Sequence, residues 1–159
     1  MVTDIKKIIL FLALVIVSAS CNTPKIGFES FAENFGKTAA FAYAEIGGRQ
    51  VLLVSHEVFG NNENSELEAI AASIFALDSD GKIVSLGSVR SQGTLYPVSV
   101  WDNKLMVAGH QFVNIYDIRG EEPELTLFRH EEGDHESPQL KELFETFELA
   151  EPVKFKLNK

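Results

Sequence analysis

The sequence predicts a mainly β protein: an antiparallel meander of about eight strands in two blade-like four-strand units, flanked by short N- and C-terminal amphipathic helices. Three observations predict it. Apolar runs broken by Gly, Asp and Asn turns recur at a regular interval from Thr38 to Phe128. No helical period intervenes between those turns, which is the pattern of strands joined by hairpins. Apolar residues at helical spacing occur on either side of that stretch, once before it and once after.

Composition narrows the field. A chain of 159 residues suits one domain that buries a core without covalent staples. With 45% hydrophobic and 10% aromatic residues, the body is not intrinsically disordered. One cysteine excludes a disulfide scaffold and a cysteine zinc cluster. The 23 acidic residues against 14 basic ones, a net charge of −9, argue against a nucleic-acid partner, whose phosphates need a basic surface.

The first twenty residues read as an export signal. Lys6 and Lys7 form a short basic region, Ile8 to Val17 is an unbroken apolar run, and Ser18, Ala19 and Ser20 are small. As a helix that run reaches about 15 Å, half of a bilayer's hydrocarbon thickness, so it does not read as a permanent span. A buried core helix is the alternative, and the absence of any polar face counts against it.

Ser18-Ala19-Ser20-Cys21 resembles the lipobox of bacterial lipoproteins, in which the cysteine is lipidated on sulfur and becomes the first residue after cleavage. The chain's single cysteine stands at that position, although Ser18 replaces the leucine the family prefers. Ordinary cleavage after Ser20 is the rival reading, because Ser18 and Ser20 also satisfy a small-x-small pattern. The resemblance implies a signal at 1–20, a lipidated Cys21 with a polar tether over 21–27, and a single extracytoplasmic β-rich domain over 28–159. It places the protein at the bacterial cell membrane, and acyl chains in combination anchor firmly where one alone is marginal. Removing the signal takes away Asp4, Lys6 and Lys7 and leaves a more acidic body, so membrane contact is expected through Cys21 alone.

Along the body, Phe28, Phe31, Ala32 and Phe35 share one helical face and Gly36 supplies a stop. Ala40 to Ala44 and Gln50 to Val54 form a hairpin through Gly47-Gly48. Residues 59–68 read as an acidic loop. Ile70 to Leu77 pairs with Lys82 to Val89 through Asp78-Ser79-Asp80-Gly81, and Leu95 to Trp101 with Lys104 to Ala108 through Asp102-Asn103. Phe112 to Ile118 pairs with Glu124 to Phe128. Ser137 then caps a helix with Pro138 in its first turn and Leu140, Leu143, Phe144 and Phe147 on one face. Val153 to Leu157 alternates as an edge strand whose lysines discourage open association.

The hairpins read as two copies of a four-strand unit, over 39–89 and 95–128, and four strands in about 40–45 residues is the size of a propeller blade. Ile74-Phe75-Ala76-Leu77-Asp78-Ser79-Asp80-Gly81-Lys82-Ile83-Val84-Ser85-Leu86-Gly87 resembles the hairpin repeat of extracytoplasmic lipoproteins from anaerobic, gut-type Gram-positive bacteria, with Tyr96-Pro97, Trp101 to Leu105 and Ile115 to Ile118 echoing its downstream part. That resemblance implies an architecture and a location, not an activity. Two blades cannot close a ring, so the units are expected to form either one twisted sheet or a flattened two-sheet body.

Chemistry-bearing constellations are few. His130, Glu131, Asp134 and His135 make the densest ligand-bearing stretch and read as an acidic loop able to present imidazole and carboxylate to a divalent ion. The histidines are five apart, so they do not share a helical face as zinc-protease histidines must, and a solvated linker is the plainer account. Asp78 to Gly81 has the start of a calcium loop without its later ligands, and a hairpin turn explains it. His56 and His110 end comparable strands. Tyr96 and Trp101 offer a stacking platform for a ligand, or a cap on the core. Nucleophile elbow, phosphate loop and dinucleotide fingerprint are all missing.

The expected function is therefore a membrane-anchored, non-enzymatic lipoprotein that needs no cofactor and binds an envelope partner, or its own copies through sheet edges. The alternative is a lipoprotein that binds a divalent metal or small ligand through the His130 and His135 loop.

Overall fold

The computed structural model describes residues 23–60 and 66–158. The predicted signal, Cys21 and the middle of the acidic 59–68 loop lie outside the described residues. Strand accounts for 51% of the chain and helix for 16%, which makes the protein mainly β with antiparallel sheets and two short helices.

The longer strands are divided between two antiparallel sheets. The first contains β1 (Ala40–Ile46), β2 (Arg49–Ser55), β5 (Ala71–Leu77) and β6 (Ile83–Arg90) in that order. The second contains β7 (Ser99–Trp101), β8 (Lys104–Gly109), β9 (Phe112–Arg119) and β10 (Glu124–Glu132), also as neighbours in chain order. Between β2 and β5, β3 (Val58–Phe59) and β4 (Glu68–Ala69) form a two-stranded ribbon. The reason for the division lies in the central strands. Val51 to Ser55 and Leu105 to Gly109 are buried at every position, and a strand apolar on both faces needs cover on both.

One face of each sheet supplies the central core. Val51, Leu53, Ile74 and Ala76 of the first sheet pack with Leu105, Val107 and Ile118 of the second. The alternate residues face outward, each set under a helix. Helix α1 (Thr23–Ala32) and the 3-10 turn Glu33–Phe35 place Phe28 and Ala32 against Leu52, Val54 and Phe75. Helix α2 (Pro138–Glu148) places Leu140 and Leu143 against Met106, Ala108, Val113 and Ile115.

Turn chemistry follows the sequence. Gly47 and Gly48 have φ of 60° and 75°, and Asp102 and Asn103 have φ of 47° and 54°, the left-handed pairs that two-residue hairpins use. Gly47 also meets the second sheet: its N–H donates to the Asn103 carbonyl at 2.9 Å, and a Cβ there would lie 2.2 Å from the Ile118 carbonyl oxygen. Asp78 accepts from the N–H groups of Asp80 and Lys82 at 3.0 and 2.8 Å, a turn closed by its own side chain.

Helix α1 begins at Thr23, within the span predicted as the tether. The expected edge strand over Val153 to Leu157 is a strand only at its end, where β12 (Lys156–Leu157) lies at the edge of the first sheet beside β1; just before that span, β11 (Glu151–Pro152) extends the second sheet beside β7. Between them Val153 and Phe155 are buried in the central core while Lys154 reaches Glu68 at 2.6 Å. The alternation read from the sequence holds from Val153 to Lys156 and stops at Leu157, which is exposed.

Candidate ligand groove

Helix α2 starts where the sequence places its cap: the Ser137 hydroxyl accepts from the Leu140 N–H at 3.4 Å, with Pro138 in the first turn. Only Leu140 and Leu143 are fully buried under it. Phe144 and Phe147, one step round the helix, remain partly exposed and form one wall of an open groove of about 710 Å³. Leu95 and Tyr96, from the loop leading into β7, also line it, as do Ala150 and Pro152.

A connected set of rings lines this wall. Tyr96 lies 6.1 Å from both Phe144 and Phe147. Its hydroxyl is 3.2 Å from Nδ1 of His110, whose ring stands edge-on at 5.5 Å. His135 stacks on Phe144 at 4.8 Å and 19°. The Ser99 hydroxyl donates to the Pro97 carbonyl at 2.7 Å and holds the loop that carries Tyr96. Charged groups also border the groove: Lys141 and Glu148 on α2, and Glu136 just before it. Among the described residues none of these three has an ion-pair partner.

Of the predicted ligand residues, Tyr96 lines the groove and Trp101 does not. Trp101 packs, partly buried, into the core beneath α2. Lys141, Phe144, Phe147 and Glu148 escaped the sequence reading, which assigned the aromatic pair to the core face. The available signal was an amphipathic helix with two more apolar rings than its buried stripe could cover.

The stretch holding His130, Glu131, Asp134 and His135 is not one loop. Strand β10 runs on through Glu132, so alternation separates its side chains between faces. His130 Nδ1 is 2.5 Å from Asn114 Oδ1 and its Nε2 is 3.5 Å from Glu132. Glu131 pairs with Arg129 at 3.6 Å, and Asp134 accepts from the Glu136 N–H at 3.2 Å. His135 stacks instead on Phe144 of α2. Asn114 bonds Tyr116, which packs in the central core, so the two histidines serve opposite sides of the sheet. Among the described residues no three His, Cys, Asp or Glu side chains gather as a metal site would require. His56 and His110 likewise part company: His56 is exposed at the end of β2, beside the Glu57–Arg90 ion pair in the other sheet.

Comparison of the chain with family models, with curated proteins and with solved structures finds no match. Its function must therefore be argued from its own residues.

Proposed function

We propose that this protein is a lipid-anchored extracytoplasmic lipoprotein of the bacterial envelope that binds a partner without transforming it. The observation that carries the anchor is Ser18-Ala19-Ser20-Cys21, a lipobox-like sequence behind a signal-like apolar run and holding the single cysteine. Support for binding comes from the groove beneath α2, whose volume and aromatic lining suit a small ligand or a chain segment.

In this reading the two sheets are copies of one four-strand unit. Register supports the correspondence: Leu52 pairs with Phe75 as Met106 pairs with Ile115, and Leu53 with Ile74 as Val107 with Asn114. The fourth strand of each unit bulges, near Leu86 and at Phe128. The units stack face to face as a sandwich with a helix outside each sheet.

The test is the intact mass of the protein purified from its own host's membranes. A chain beginning at Cys21 with diacylglycerol on sulfur supports the anchor; an unlipidated chain beginning at Cys21 overturns it.

A further inference from the structure

Along α2 the groove has a polarity. Lys141 and Glu148 both border it and lie seven residues apart, about 10 Å at the rise of an α-helix, with Phe144 and Phe147 between them. The groove thus reads cation, ring, ring, anion. The helix dipole runs the same way, positive toward Ser137 and negative toward Leu149, which favours an anion at the Lys141 end and a cation at the Glu148 end. His135 adds a ring N–H near the cationic end, and the Glu136 carboxylate on that rim opposes Lys141 in part. Leu95 and Leu149, each 77% exposed, are the two most exposed large apolar residues among those described; Leu95 lines the groove and Leu149 adjoins its end.

We infer that the groove binds a short apolar peptide of about three residues with both termini free, its carboxylate at Lys141 and its ammonium at Glu148. Three extended residues span about 10 Å, the separation of the two charges. The rings of Tyr96, Phe144 and Phe147 take the peptide's apolar side chains, and unpaired Lys141 and Glu148 supply the complementary ends. This inference rests on the reading that the protein is a binding module whose site is this groove. It does not depend on the lipid.

The test is calorimetric titration of the full chain in detergent with alanyl-phenylalanyl-alanine, its N-acetylated form, its C-amidated form and 3-phenylpropionate. Blocking either terminus is expected to weaken binding about fivefold, the scale of one exposed charge contact. Lys141→Gln should abolish the preference for the free acid over the amide while keeping the preference for the free amine. Glu148→Gln should do the reverse, and Glu136→Gln should tighten binding of the free acid. Thermal melts of these surface variants establish that each is folded. Absence of binding to the folded protein, equal affinity for free and blocked peptides, or 3-phenylpropionate binding as tightly as the tripeptide would each overturn the inference. A lipidated protein that takes no peptide loses this inference alone; one that takes the peptide but carries no lipid loses the anchor alone.

Discussion

Leu67 and Phe155 are bonded to each other twice through the backbone: the Leu67 N–H donates to the Phe155 carbonyl at 3.0 Å and the Phe155 N–H to the Leu67 carbonyl at 2.7 Å. The pair ties the last residues of the chain to the segment between β2 and β5. Phe155 is fully buried in the core that the two sheets share. The C-terminal segment is therefore part of the joint between the sheets, with β11 on one and β12 on the other.

Phe155→Ala should accordingly destabilise the protein by about 3–5 kcal/mol, the usual cost of emptying a phenylalanine site. Lys156→Ala, on the exposed side of the same segment, should change stability by less than about 0.5 kcal/mol. Chemical denaturation of the two variants checks this, and equal effects would mean that the tail is merely laid on the surface.

Gly47→Ala should be costlier than the usual turn substitution. The new methyl would sit 2.2 Å from the Ile118 carbonyl oxygen of the other sheet, at a φ of 60° that L residues disfavour. Gly48 has φ of 75° and open space around it, so Gly48→Ala meets only the backbone penalty, about 1 kcal/mol. A larger loss at 47 than at 48, read from melting temperatures, is the expected result.

Burial, helped by the negative charge of Glu29, holds the Tyr43 hydroxyl above its ordinary ionisation range. The unfolded chain therefore ionises first as the pH rises, and the folded state then binds more protons. Stability contributed by this group is intact below about pH 10 and falls through the interval up to the raised folded value. Alkaline unfolding curves check the sign: Tyr43→Phe should flatten the loss of stability above that pH.

Phe128 is the extra residue of a bulge in β10, where the register steps from Leu127 opposite Tyr116 to Arg129 opposite Ile115. It lies on the free edge of the second sheet, 48% exposed, with Lys104 and Arg119 against its ring. Bulges and nearby cations discourage a second chain from pairing there. Deleting Phe128 would restore a regular nine-residue edge less one, and size-exclusion chromatography should then show concentration-dependent association absent from the parent.

The parts of the fold that were legible in the sequence are those set by local chemistry. Gly47-Gly48, Asp102-Asn103 and Asp78 announce their turns because few other residues close them. Ser137 and Pro138 announce α2 in the same way. What Val51 to Val54 could not announce was its second cover, since a run apolar on both faces says that two layers are needed but not which ones. Strand β10 runs past Phe128, where the sequence expectation ends, because pairing with Phe112 to Ile115 outweighs the polar character of Arg129 to Glu132. The groove was half legible. Tyr96 stands out in the sequence as half of an aromatic pair with Trp101, whereas Lys141 and Glu148 acquire meaning only when α2 is laid on its sheet and Phe144 is left at the rim.

Helix α1 begins two positions after Cys21, and by Phe28 the chain is locked into the body, about 7.5 Å of helix later. A lipid on Cys21 would thus be a mooring with almost no rope. Lipoproteins with long leashes can sweep the space above a bilayer; this body, about 40 Å across for its length, would stay berthed at the lipid surface. If the proposed lipid is present, a partner would have to come down to the membrane to be met, and would then be held within one molecular diameter of the bilayer.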